Sequence, residues 1–310
     1  MPRNPAFAIA RPHFSLCASG ARRKALATVV TLAAASLAGT AAWAQDGSYP
    51  TRPVTLVVSA AAGGTTDLAA RMISEPLSRA LGQPVVVDNR PGGSGGIAAQ
   101  TVARAKPDGY TLMVQYSGYQ VISPLLMKNA WDPVKDFSPV ANILSAPQVL
   151  VVRPSLPVKT LKELVAYAKA NPNKLNYASS GNGSLQHVST ELLNQMAGIQ
   201  ITHVPYKGTG PAMTDLLGGS VDLTITTPPP LMGHIPSWFA LYAPAGTPKP
   251  IIDKLAGEID RIMQTEAFRK KAEELGAEAK FMGPQQLAAY QRSELARWAK
   301  VIKAADIHAE

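Results

Sequence analysis

The chain is poor in cysteine, in charge and in aromatic rings. Its 310 residues hold one cysteine, Cys17, which excludes an internal disulfide and a Cys-built metal site. Charged residues make up 16% and aromatics 6%, with no basic run interleaved with aromatics of the kind that grips nucleic acid. His187, His203, His234 and His308 stand apart, without metal-ligand spacing, so neither a metal nor a cofactor is expected. A P-loop is missing, G-x-G-x-x-G is not completed in Pro91–Ala98, and Gly181-Asn182-Gly183-Ser184 does not supply a nucleophile elbow. Ser184 and His187, three apart, leave a serine-type hydrolase as the alternative enzymatic reading.

Apolar residues are plentiful at 46%, enough for a sizeable core and, at this length, two domains. The formal charge of +9 sits largely at the start. Residues 1–44 carry Arg3, Arg11, Arg22, Arg23 and Lys24 and no acid, then an Ala-rich apolar run ending in Ala42-Trp43-Ala44. A basic stretch, an apolar run and a small-x-small site predict a cleaved signal peptide and a periplasmic product. The twin Arg22-Arg23 leaves Sec and twin-arginine export both open. Cleavage after Ala44 removes five cations and Cys17, leaving residues 45–310 with a charge of +4.

Past the leader, β-branched runs alternate with helical patterns. Val54–Ser59, Val85–Asp88, Tyr110–Val114, Gln148–Val152, Asn176–Ser179, Ile201–Val204 and Val221–Thr226 read as strands. A helical stretch opens at Asp67, with Pro76 expected to kink it, and Thr160 with Glu163 forms a capping box. Thr247-Pro248 reads as an N-cap with proline at the first helical position. This alternation predicts parallel α/β sheets with ligands at the carboxyl ends of strands. Three strand-to-helix loops lie there: Ala62–Thr66, Pro91–Gly96 and Ser179–Ser184. All are rich in Gly, Ser or Thr and suit an anion held by helix-start N–H groups and hydroxyls.

Ala62-Gly63-Gly64-Thr65-Thr66-Asp67 resembles the substrate-binding proteins of tripartite tricarboxylate transporters, the Bug family. So do Leu81–Gly95, Pro107-Asp108-Gly109-Tyr110, Asn176–Ser184 with His187, Val204-Pro205-Tyr206-Lys207-Gly208 and Trp238 to Pro248. The resemblance implies a type II two-lobe periplasmic-binding-protein-like α/β fold, closing over a small carboxylate without catalysis. It divides the chain into the leader 1–44, a first lobe from 45–147 and 238–310, and a second lobe from 148–237. It assigns ligand contacts to Ala62, Gly63, Gly64, Thr65, Thr66 and Asp67 in one lobe. In the other it assigns Ser179, Ser180, Gly181, Asn182, Gly183 and Ser184, with His187 and Tyr206 nearby, and adds Ser117, Gly118, Thr226 and Thr227 as cleft-lining positions. The implied partners are a carboxylate, the permease subunits of a membrane transporter and a sensor protein, with no nucleic acid, for a monomeric receptor. One departure stands out. After Leu231–Ile235 the family continues for a few dozen residues, through a strand and a helix, whereas here Pro236-Ser237 leads straight to Trp238. A truncated, non-binding or regulatory remnant of the receptor is therefore a further alternative.

Overall fold

The computed structural model describes residues 49–226 and 237–308; the expected leader, Thr227 and the Leu231–Ile235 stretch lie outside them. Strand β1 (Val54–Val58) pairs in parallel with β2 (Val85–Asn89) and with β3 (Thr111–Tyr116). β4 (Phe137–Ala146) and β9 (Ser237–Pro244) complete a sheet of order β2-β1-β3-β9-β4, with β9 antiparallel to both its neighbours. Every residue of β9 is buried, because it lies between two strands under helices. The sheet is covered by α1 (Thr65–Leu81), α2 (Gly96–Ala103), α6 (Lys249–Gln264) and α8 (Pro284–Ala304), while α7 (Glu266–Glu274) packs on α6. On α6 the buried residues Ile252, Leu255, Ala256, Ile259, Ile262 and Met263 repeat at helical spacing, so one stripe meets β4 and α1. Each such aliphatic side chain taken from water contributes about 1.5–3 kcal/mol.

The second sheet has the order β5-β8-β6-β7, from β5 (Val149–Val152), β8 (Leu223–Thr226), β6 (Asn176–Ser179) and β7 (Thr202–Pro205). Helices α3 (Leu161–Ala170), α4 (Leu185–Ala197) and α5 (Thr209–Gly218) accompany it. Leu164, Leu175, Tyr177, Ile199, Ile201 and Leu223 form its larger core cluster, and Ala178, Ala212, Leu216 and Val221 a smaller one. Asp222 ties three strands at one end. Its carboxylate accepts from Arg153 Nε at 2.7 Å and Asn176 N–H at 2.9 Å, and its own N–H donates to Asn176 Oδ1 at 3.0 Å. The chain passes from the first sheet to the second between Ala146, paired with Ser237, and Val149, paired with Thr226. Gln148 Nε2 donates to Ser237 Oγ at 2.5 Å across that passage.

Four sequence expectations change. The sheets are mixed rather than parallel, because β9 and β5 run against their neighbours. β4 and β9 are strands that the alternation reading passed over. Helix α1 runs through Pro76 without interruption. Thr247 does not cap α6: its hydroxyl donates to Pro244 O at 2.8 Å, and Pro248 stands at the N-cap. The capping box at Thr160 forms, with Glu163 N–H donating to Thr160 Oγ1 at 3.2 Å.

Candidate functional site

The loop after β1 is held open by the carboxylate at the start of α1. Asp67 is 2% exposed, and its Oδ2 accepts from Gly63 N–H at 2.9 Å and from Arg71 Nε at 3.0 Å. Oδ1 accepts from Asn89 Nδ2 at 3.0 Å, and the same nitrogen donates to Ala60 O at 3.0 Å. Burial alone would raise the Asp67 pKa, but the bonds from Arg71, Gly63 and Asn89 outweigh it and hold the carboxyl below its ordinary range. Asp67 therefore braces the loop from behind. Gly63 adopts φ 81°, a left-handed conformation that lets its N–H turn back to that carboxylate. Ala62 and Gly63 are exposed, Thr65 is half-buried, and Gly64 and Thr66 are buried.

The Ser179–Ser184 loop is braced from within the second lobe. Gly181 N–H donates to Ser179 Oγ at 3.0 Å, and the same hydroxyl lies 2.6 Å from His203 Nε2. His187 Nδ1 accepts from Gly183 N–H at 3.1 Å, which places the neutral ring's proton on Nε2. The rings of Tyr177, His203 and His187 stack in that order, with centroids 4.8 and 4.4 Å apart. Burial and then the neighbouring His187 lower the His203 pKa to about 4. Ser184 Oγ caps α4 by accepting from His187 N–H at 3.2 Å. The hydroxyl and the imidazole singled out as a catalytic pair are thus both engaged in shaping this loop.

The two loops line one cavity, Thr65 from the first and Ser180 from the second, and the chain segments around them meet. Ala61 N–H donates to Lys207 O at 3.1 Å, Tyr119 OH donates to Ser180 O, and Ser94 Oγ donates to Asn182 O. Tyr116 OH donates to Gln186 Oε1 at 3.2 Å. Between the walls lies a cavity of about 20 Å³, room for about one water, lined by Thr65, Tyr116, Tyr119, Ser180, Gln186 and Thr209 among others. Thr65 opens α1, Gln186 stands in the first turn of α4, and Thr209 opens α5, so three helix N-termini converge on one cavity. Among the described residues no Lys or Arg lines it.

The remaining sequence-named residues are placed as follows. Ser117 Oγ accepts from Trp238 N–H at 3.2 Å, joining β3 to β9. Gly118 lies against the second lobe so closely that a β-carbon there would sit 2.8 Å from Leu185 N. Tyr206 is turned to its own lobe, its hydroxyl donating to Asp215 Oδ2 at 2.6 Å, and its pKa is pushed up to about 12 by burial and that carboxylate. Thr226 ends β8, buried and paired with Val149, and Thr227 lies outside the described residues. Sequence reasoning passed over Tyr116, Tyr119, Phe239 and Gln186 as site residues, and it named the Pro91–Gly96 loop without singling out its Ser94. Tyr116 and Tyr119 flank the named Ser117-Gly118, and Gln186 follows the named Ser184 by two residues, so proximity was the available signal. Ser94 sits at φ 49°, inside Gly92-Gly93-Ser94-Gly95-Gly96, a G-x-S-x-G spacing. Its hydroxyl is engaged by the Asn182 carbonyl across the cleft.

Known proteins resemble this chain in sequence and fold. The sequence profile of the tripartite tricarboxylate transporter family receptor matches residues 69–235 and 231–307, two stretches that meet just before Trp238. BugT of Bordetella pertussis is 33% identical, with 86% of this chain and 93% of BugT covered. Its 303 aligned positions use only 86% of a 310-residue chain, so a few dozen of them have no residue here. Among solved structures, the periplasmic binding protein BugD superposes with a TM-score of 0.79 at 32% identity, covering 84% of this chain and 99% of BugD. Rpa4515 of R. palustris, solved with adipate, gives 0.80 at 37% identity, with 84% of this chain and 99% of that one covered. The two mixed sheets are those of a two-lobe periplasmic binding fold, and the chain belongs to the tripartite tricarboxylate transporter receptor family.

Proposed function

We propose that this protein is an exported receptor that captures a small carboxylate between its lobes and hands it to the permease of a tripartite transporter. The observation that carries the reading is the convergence of the α1, α4 and α5 N-termini on one cavity between the two sheets. Each helix start presents N–H groups and the positive end of its dipole, which together favour an anion without a cationic side chain. The adipate held by Rpa4515 supports a carboxylate as the ligand class. In this reading Gly64, Thr65, Thr66, Ser180, Gly181, Asn182 and Gly183 supply the donors, while Asp67 and His187 position the loops that carry them. Lobe closure removes the carboxylate from water and presents a closed surface to the permease, and only a solute that prefers the closed state drives it.

Residues 1–44 act as the cleaved leader, and the product works as a periplasmic monomer. The second lobe lacks a strand and a helix that relatives have between Ile235 and Trp238; the break in the family match at residues 231–235 supports this. Calorimetric titration of the purified protein against a carboxylate panel tests the function. One-to-one binding without chemical change of the ligand is expected. A cooperatively folded protein that binds no member of the panel would overturn it.

A further inference from the structure

The two walls of the interlobe cavity differ in kind. One is aromatic: Tyr116 at the end of β3 and Phe239, its register partner on β9, lie with ring centroids 5.7 Å apart and planes at 28°. Tyr119 meets Tyr116 edge-on at 5.2 Å and 85°. The opposite wall is small and polar, made by Ser180, Gln186, Gly208 and Thr209. Gln186 is 2% exposed, and its Oε1 is taken by Tyr116 OH at 3.2 Å and Ser180 Oγ at 3.0 Å. Its acceptor is thereby saturated, and the amide Nε2 is the end left for a ligand oxygen.

The charge balance narrows the solute further. Among the described residues the cavity lining contains no cation, and Asp67, its carboxyl held below the ordinary range, is already engaged by Gly63, Arg71 and Asn89. Helix starts, hydroxyls and one amide can replace the hydration of a single carboxylate. A second or third carboxylate buried there meets no counter-charge, and uncompensated buried charge is strongly unfavourable. Flat aromatic walls instead favour a flat apolar body, by ring stacking and by removal of apolar area from water.

We infer that the solute is an aromatic monocarboxylate of the benzoate type, its ring against Tyr116, Tyr119 and Phe239 and its carboxylate toward Gln186, Thr65 and Thr209. This rests on the receptor reading above and specifies its ligand. The lobes part to admit the ring, since the closed cavity holds about one water.

The test is calorimetric titration with benzoate, cyclohexanecarboxylate, adipate, malate and citrate, with a melting curve confirming the fold. Benzoate should bind at least tenfold more tightly than adipate, malate or citrate, and more tightly than cyclohexanecarboxylate. Tyr119→Leu should weaken benzoate about tenfold, and by more than Tyr119→Phe, which keeps the ring and loses only the hydroxyl bond to Ser180 O. If Tyr119→Leu does not fold, Phe239→Leu carries the same expectation, and the wild-type ranking stands by itself. Adipate, malate or citrate binding as tightly as benzoate would overturn the aromatic monocarboxylate and leave the receptor standing. Binding of no carboxylate by the folded protein would overturn the receptor reading and this inference with it.

Discussion

His203 makes the second lobe sensitive to acid, and the size of the effect follows from its surroundings. The ring is stacked between Tyr177 and His187, with Nε2 2.6 Å from Ser179 Oγ, while Nδ1 is buried with no hydrogen-bond partner among the described residues. An imidazolium needs an acceptor at each nitrogen, so charging this ring would bury an unmatched N–H beside a second histidine. Its pKa accordingly falls from 6.5 to about 4, through burial first and His187 second. Because the folded value is depressed for a base, the unfolded chain binds more protons between about pH 6.5 and 4. Stability is therefore full above pH 6.5 and declines as pH falls toward 4. A shift of that size corresponds to about 3 kcal/mol at most, and solvent reaching the half-buried ring brings it to roughly 1–2 kcal/mol. Urea unfolding followed by far-UV circular dichroism at pH 7.5, 5.5 and 4.5 measures it. His203→Phe keeps the stack and removes the titration, so its unfolding midpoint should fall less with acid than the wild type's by that amount. Asp67, whose pKa is lowered below its ordinary 3.8, begins to lose its contribution as pH nears that value, equally in the wild type and His203→Phe, so the comparison between the two cancels it. Equal acid losses in the wild type and His203→Phe would refute the reasoning.

Gly118→Ala places a methyl 2.5 Å from the Tyr116 ring and 2.8 Å from Leu185 N, so it should hold the lobes apart. Carboxylate affinity should fall at least tenfold with a larger radius of gyration in solution scattering; unchanged affinity would sink the idea that closure needs this contact. Asp67→Ala frees the Gly63 and Asn89 donors and the Arg71 partner, and should destabilise by about 2 kcal/mol in thermal unfolding. Asp222→Ala breaks the knot joining β5, β6 and β8 and should cost about 3 kcal/mol. It should also split unfolding into two steps, the second lobe first; one wild-type-like transition would show the knot is dispensable.

Much of this was readable residue by residue, and the failures have physical reasons. β1, β2 and β6 announced themselves as β-branched or apolar runs bounded by Gly, Pro and Ser, and the capping box at Thr160 is a local interaction that needs no tertiary help. β4 escaped because Pro139 and Asn142 interrupt its pattern. Register shifts between Pro139 and Ala141 and between Asn142 and Leu144 leave Val140 and Ile143 unpaired as bulges, each just after one of those residues. β9 escaped for the opposite reason: Trp238–Ala243 is apolar throughout, and a run buried on both faces has no period to read. Thr247 had the sequence of a cap, yet the turn after β9 put Pro244 O within reach of its hydroxyl. In the site, the Gly- and Ser-rich loops were legible because their chemistry is local. The aromatic wall was not, because Tyr116 and Phe239 are 123 positions apart and become neighbours only through the β3–β9 register.

The two sheets also differ in how they are built. Among the described residues the first sheet has five strands, with β9 held between β3 and β4, whereas the second has four, each of four residues. β5 stands at its edge among the described strands, and Val149, Leu150, Val151 and Val152 are all only partly buried. An apolar edge of this kind gains from any strand laid beside it, which is the place a missing family strand would matter most. The same lobe carries the Ser180, Gln186 and Thr209 wall of the cavity, so its folding and its grip on the solute draw on the same contacts. A ligand that binds only the folded, closed form stabilises it by RT ln(1 + [L]/Kd), about 2.7 kcal/mol at a hundredfold excess over Kd. For a lobe held by four short strands and one carboxylate knot, that is comparable to the knot itself.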